Sequence, residues 1–167
     1  MRVIDGVRLA ALGVLGCAPA SQPPEPAASA APALQLPAFP TDPIGRWVEC
    51  EECQDGELAA VVAMGAAAVP ALATFLAQGP PADRIALLEQ ALRESHAKLS
   101  GDSQALSQAE YVARYRGNYL AKYQTRAAMA LGTLRTPEAL RSLAAVDTAS
   151  MRIDVRAAVR DALRRGR

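Results

Sequence analysis

Aromatic residues are scarce in this 167-residue chain, at 4% of the total. Alanine and leucine take their place, a mixture that suits helices packed closely together. No alternating run of Val, Ile and Thr is long enough to make a strand. There is one histidine and no excess of either charge, with a formal net charge of +1. The charge balance gives no hint of a polyanionic partner, so nucleic acid is not expected. No apolar run approaches the roughly 20 residues that a transmembrane helix needs. There is no Gly-rich phosphate loop, no Ser-centred nucleophile elbow and no pair of carboxylates in a catalytic setting.

What is present begins at the N-terminus. Arg2 and Arg8 precede an apolar stretch from about Leu9 to Gly16. It is too short to span a bilayer and fits a signal-peptide core, so residues 1–16 are expected to be removed. Without them the chain carries 16 basic and 16 acidic residues. Val14-Leu15-Gly16-Cys17 resembles the lipobox of bacterial lipoproteins. The resemblance implies that Cys17 is lipidated and becomes the new N-terminus. Several acyl chains, at about 0.8 kcal/mol per buried CH₂, then hold the protein at a membrane. Ala18 stands where an inner-membrane retention signal is usually Asp, which favours the outer membrane, facing the periplasm or the cell surface. The alternative is an ordinary Cys17 inside a secretory signal cleaved near Ala18-Pro19-Ala20.

Residues 17–43 read as a linker. Eight of the 12 prolines fall within residues 18–43, and proline removes both a backbone donor and freedom in φ. An extended spacer at about 3.1 Å per residue reaches on the order of 80 Å. A tail with no reach requirement is the competing reading. Residues 44–167 form the expected folded domain, all-α. Helices are predicted over about 56–64, 66–78, 82–99, 107–134 and 150–165, with another opened by Thr136-Pro137. Ser100-Gly101-Asp102-Ser103 reads as a loop, and Gly117 is a candidate break in the long helix.

Two stretches share a pattern. Thr125-Arg126-Ala127-Ala128-Met129-Ala130-Leu131-Gly132 precedes a Pro-led segment containing Leu140 and Leu143, and Val155-Arg156-Ala157-Ala158-Val159-Arg160-Asp161-Ala162-Leu163 repeats its Arg-Ala-Ala core. A weaker copy lies at residues 57–76, and residues 82–124 would be an enlarged, irregular unit. The pattern resembles the HEAT-repeat family. That implies a short α-solenoid of antiparallel helix pairs, with Leu131, Leu134, Leu140 and Leu143 in the seam. It further implies that Arg126 and Arg156 are the recurring arginine that pairs with acidic groups of neighbouring repeats. Each unit of such an array buries its apolar face only against its neighbours.

Cys50 and Cys53 form Cys-x-x-Cys among three glutamates. A local disulfide is expected in an oxidising compartment. A thiol-redox site is weakened by the missing βαβ context and by the flanking acids. A zinc site needs four ligands. Trp47 reads as core, and His96 as a solvated or edge residue rather than a catalytic one. Tyr111, Tyr115, Tyr119 and Tyr123 are spaced by four, on one helix face. They are expected to form a packing ridge with hydroxyls reaching water. With the interleaved Arg114 and Arg116, they are also the candidate binding surface, since Tyr and Arg are common at interaction hot spots.

Charge is polarised. Residues 42–57 hold six acids against Arg46, whereas residues 111–167 hold 12 basic residues against four acids. Arg152, Arg156, Arg160 and Arg164 read as a solvated stripe on the last helix. Taken together, the sequence points to a lipid-anchored, non-enzymatic scaffold of the cell envelope. Its partner is a protein whose identity, like the oligomeric state, the sequence does not give. No cofactor is expected. The alternatives are a thiol-redox or zinc-dependent protein built on Cys50 and Cys53, and a HEAT-like accessory to cofactor attachment.

Overall fold

In the computed structural model, residues 42–53, 55–99 and 106–166 are described. Cys17, the signal segment, the prolines before Pro43 and the loop around Gly101 lie outside them. The described residues are helical throughout, with no strand among them. The elements are α1 (Pro43–Glu49), α2 (Asp55–Ala63), a 3-10 turn (Gly65–Ala68), α3 (Val69–Gln78), α4 (Ala82–His96), α5 (Gln108–Leu134), α6 (Pro137–Ala145) and α7 (Ile153–Gly166).

The helix boundaries have local causes. Ser107 opens α5 as a capping box, its hydroxyl accepting from the Glu110 N–H while the Glu110 carboxylate accepts from the Ser107 N–H. Thr136 Oγ1 accepts from the Ala139 N–H at 3.1 Å, and Pro137 follows at the first helical position. Gly79, at φ 76°, ends α3. α5 runs unbroken through Gly117 for 27 residues, so the candidate break there does not occur. A glycine alone lowers helix propensity by about 1 kcal/mol, and the contacts along the rest of α5 outweigh that.

α1 begins at Pro43, where the sequence predicts the end of the linker and no helix. The same signal that opens α6 opens α1. Asp42 Oδ1 accepts from the Gly45 N–H at 2.9 Å, and Pro43 takes the first helical position.

α5 is the axis of the domain and contacts every other α-helix. Ile44, Trp47 and Val48 of α1, Leu72 and Leu76 of α3, Leu88 and Leu92 of α4, and Leu143 of α6 belong to one buried cluster with Tyr123 and Leu131 of α5. Leu134 and Leu140 pack against that cluster. α7 approaches α5 most closely at Gly132, where an added Cβ would stand 2.6 Å from Ala162 Cβ and 2.7 Å from its Cα. Among the described residues no single helix is long and apolar enough to cross a membrane.

Candidate functional site at the α1–α5 corner

The polar chemistry of the domain converges where the end of α1 meets the middle of α5. The last carbonyls of a helix have no partners within it. Here Arg126, more than 70 positions along the chain, supplies them. Its Nη1 donates to the carbonyls of Trp47 at 3.0 Å and Val48 at 3.2 Å, and also to that of Cys50. In return the Trp47 indole N–H donates to the Arg126 carbonyl at 3.0 Å. The guanidinium lies 5.7 Å from the indole centroid, within cation–π range. Trp47 is buried, as expected of a core residue. The partners of Arg126 are therefore carbonyls of α1, in place of the acidic groups that the repeat pattern suggested. Burial pulls its pKa down, while Glu51 and Glu49 oppose that shift. It remains a cation, as arginine does in proteins.

Glu49 is the second focus. Its carboxylate accepts from Arg84 Nη2 of α4 at 2.8 Å, from the Tyr123 hydroxyl at 2.5 Å and from the Tyr119 hydroxyl. Lys122 Nζ stands 3.5 Å from the second carboxylate oxygen and 3.0 Å from Glu51. Burial on its own raises the pKa of Glu49. The hydrogen bonds from Tyr119, Tyr123 and Arg84, with the charge of Lys122, outweigh it and hold the carboxyl below its ordinary range. Burial and the Glu49 carboxylate push the Tyr119 hydroxyl up to about 12, and they push Tyr123 higher still. Three donors converge on one carboxylate oxygen and Lys122 stands near the other, which holds Glu49 as a structural anion.

The tyrosine row divides. Tyr119 and Tyr123 are buried and their hydroxyls go to Glu49, which corrects the expectation that the row's hydroxyls reach water. The four-residue spacing drifts around the helix, and α1 covers the C-terminal half of the row. Tyr111 packs on His96 at 5.3 Å between centroids and on Tyr115 at 4.6 Å, and Tyr115 is 45% exposed. His96 is half-buried at the end of α4, with Nε2 3.0 Å from the Leu106 carbonyl oxygen. Arg114 is exposed, and Arg116 pairs with Glu89 at 3.1 Å. Beside the Glu49 focus, α4 and α5 enclose an open groove of about 340 Å³. Leu88, Leu92 and Tyr119 line it, and Tyr115, Lys122 and Glu51 edge it.

Cys50 and Cys53 lie at the same corner, Cα atoms 5.3 Å apart and sulfurs at disulfide distance. Among the described residues no three His, Cys, Asp or Glu side chains converge to hold a metal. The basic stripe of α7 is partly neutralised. Arg152 pairs with Asp154 and donates to Asn118 of α5 at 2.8 Å, while Arg164 and Arg165 both meet Asp161. Arg156 is half-buried and takes part in none of the ion pairs among the described residues. Arg84, which sequence reasoning did not single out, carries no local signal of its role, because its partner lies 35 positions away. No protein-family model, no curated protein and no solved structure matches this chain.

Proposed function

We propose that the chain is a lipid-anchored, non-enzymatic binding module of the cell envelope, held at a membrane through Cys17 and offering its helical domain to a protein partner. The observation that carries the reading is the α4–α5 groove. Buried Leu88 and Leu92 form its floor, and exposed Tyr115 stands at its edge beside Lys122 and Glu51. An apolar floor with an aromatic and charged rim is the usual make-up of a protein-contact surface. The Glu49 carboxylate, tied to Arg84, Tyr119 and Tyr123, is engaged in holding the corner together, which favours binding over acid–base chemistry there.

The same reading takes the second half of the domain as HEAT-like. The C-terminal half of α5, a two-residue turn and the Pro-led α6 make one helix pair, and α7 carries the second Arg-Ala-Ala core. Residues 82–124, which comprise α4 and the first part of α5, are then the enlarged, irregular unit.

Photocrosslinking in cells tests the proposal. A photoreactive residue at Tyr115 should give a discrete protein adduct, and one at exposed Ala157 of α7 should not. The adduct should vanish in Cys17→Ala, which should also fail to incorporate labelled fatty acid. Indistinguishable labelling at the two positions, or fatty-acid labelling that survives Cys17→Ala, overturns it.

A further inference from the structure

The sequence surrounds the Cys-x-x-Cys motif with Glu49, Glu51 and Glu52, a setting that disfavours a thiolate. The fold changes that setting. Glu49 turns toward Arg84, Tyr119 and Tyr123, and Glu51 is paired with Lys122. Glu52 is exposed, so water and salt screen it. In their place Arg126 brings Nη1 to 3.2 Å from Cys50 Sγ, from a half-buried position on α5. The same guanidinium donates to the carbonyls at the end of α1 and so offsets the negative end of the helix dipole, including the Trp47 carbonyl, whose oxygen itself lies 3.1 Å from Cys50 Sγ. Among the described residues, the hydrogen-bond-range contacts of Cys53 Sγ are to backbone carbonyls and include no cation. Both cysteines are half-buried.

We infer that Cys50 and Cys53 form an exchangeable redox pair in which Cys50 carries the thiolate against Arg126, and that it exchanges stoichiometrically with a partner's dithiol–disulfide couple. The chemistry follows from the asymmetry, because the sulfur whose thiolate is better stabilised leaves faster. A thiolate of the partner dithiol attacks Cys53 Sγ. The Cys50–Cys53 bond breaks and its electron pair leaves on Cys50, beside the guanidinium. The partner's second thiol loses its proton to solvent and attacks the partner sulfur of the mixed disulfide. That closes the partner disulfide and releases Cys53 as a thiolate, which takes up a proton. The protein gains two electrons and the partner loses two. In reverse, the pair reduces a disulfide through the same mixed disulfide.

The two sites adjoin at Glu51, Lys122 and Tyr119, but this inference does not rest on the groove, and two measurements on the full chain test it. In the first, wild-type protein is reduced with dithiothreitol, pulsed with limiting iodoacetamide at neutral pH and mapped by peptide. Cys50 should be alkylated about tenfold faster than Cys53, since the thiolate is the reactive form. Equal rates, or a faster Cys53, overturn the assignment. In the second, the pair is equilibrated with glutathione redox buffers and its state is read by gel shift. Arg126→Met should move the equilibrium toward the disulfide by about tenfold, equivalent to about 30 mV for a two-electron couple, and Arg126→Lys should recover most of it. Trp47, the single tryptophan, lies against Arg126 and reports by fluorescence whether the corner has kept its packing. An unchanged equilibrium in a folded Arg126→Met protein overturns the inference. Should that variant not fold, the alkylation ratio in wild type decides alone.

Discussion

Near its middle, α5 receives α1 through a carboxylate, two phenols, a lysine and an arginine, with a second arginine reaching in from α4. Toward its C-terminus it receives α7 through a glycine set against an alanine. At the first contact the buried Ile44, Trp47 and Val48 are joined by polar side chains, each satisfied by a residue far away in sequence. At the second, α7 contributes buried Val155, Val159 and Ala162, and the fit is decided by the absence of a Cβ at Gly132. The polar corner depends on the number of donors and on protonation. The seam depends on volume and is indifferent to both. One helix therefore carries two contacts that fail under different conditions.

The sharpest way to break this contrast is to remove the shared anion. Glu49→Ala removes the carboxylate that accepts from the Arg84 guanidinium and from two phenol hydroxyls in a largely buried setting. Deleting one partner of a buried pair typically costs about 3–5 kcal/mol. Urea unfolding followed by far-UV circular dichroism measures this. A loss under about 1 kcal/mol would place the corner among ordinary surface ion pairs.

Next in size is the seam. Gly132→Ala puts a methyl group against the backbone of Ala162, and overpacking of this kind costs about 1–3 kcal/mol, despite alanine's better helix propensity. Gly117 is the internal control. A Cβ there meets only Arg152 Nη1, at 3.7 Å, so Gly117→Ala should stabilise the domain by up to about 1 kcal/mol. If both substitutions stabilise, the closeness of α5 and α7 is not what holds the seam.

The helices that form the seam were legible from the chain, though the approach of Gly132 to Ala162 was not. Arg-Ala-Ala cores, small residues and leucines at helical spacing place α5, α6 and α7 without any long-range knowledge. The corner was not. Nothing local distinguishes Glu49 from Glu51 or Glu52, and Arg84 sits on α4 with an unremarkable sequence around it. Their roles exist only once α1 is laid across residues 119–126. The tyrosine row shows the limit from the other side. Its spacing correctly placed four tyrosines along one helix, but which hydroxyls are buried depends on how far α1 extends along it. The Asp42-Pro43 start of α1 was readable by the rule that found Thr136-Pro137, and was masked by the prolines preceding it.

A smaller effect separates the two contacts by pH. The folded-state pKa of Glu49 lies below its ordinary value of 4.5. Its contribution is therefore fully present above that value and is lost as pH falls toward the folded-state pKa. Tyr119 behaves oppositely. Its pKa is raised from 10.0 to about 12, so its contribution holds below pH 10.0 and is lost as pH rises through about 12. Stability plotted against pH should fall at both ends. Glu49→Gln should flatten the acid limb, whereas Gly132→Ala should lower the whole curve without changing its shape. An acid limb of equal steepness in Glu49→Gln would assign it to other carboxylates.

The smallest effect comes from a residue that belongs to neither contact. Arg135 closes α5 at φ 53° and ψ 17°, the left-handed region, with its N–H 3.4 Å from the Leu131 carbonyl. Glycine is the usual occupant of this position, because a Cβ is strained there. Arg135→Gly relieves that strain but gives the unfolded chain more freedom, so the net gain should be no more than about 1 kcal/mol, a rise of a few degrees in Tm. Arg135 lies on the turn that sends the chain into α6, distant in sequence from the Glu49 focus and without contact to it. Its gain should therefore add to the Glu49→Ala loss to within about 0.5 kcal/mol. A gain that disappears in the Glu49→Ala background would mean that the corner and the turn are linked through α5, and that the helix transmits changes at one contact to the other.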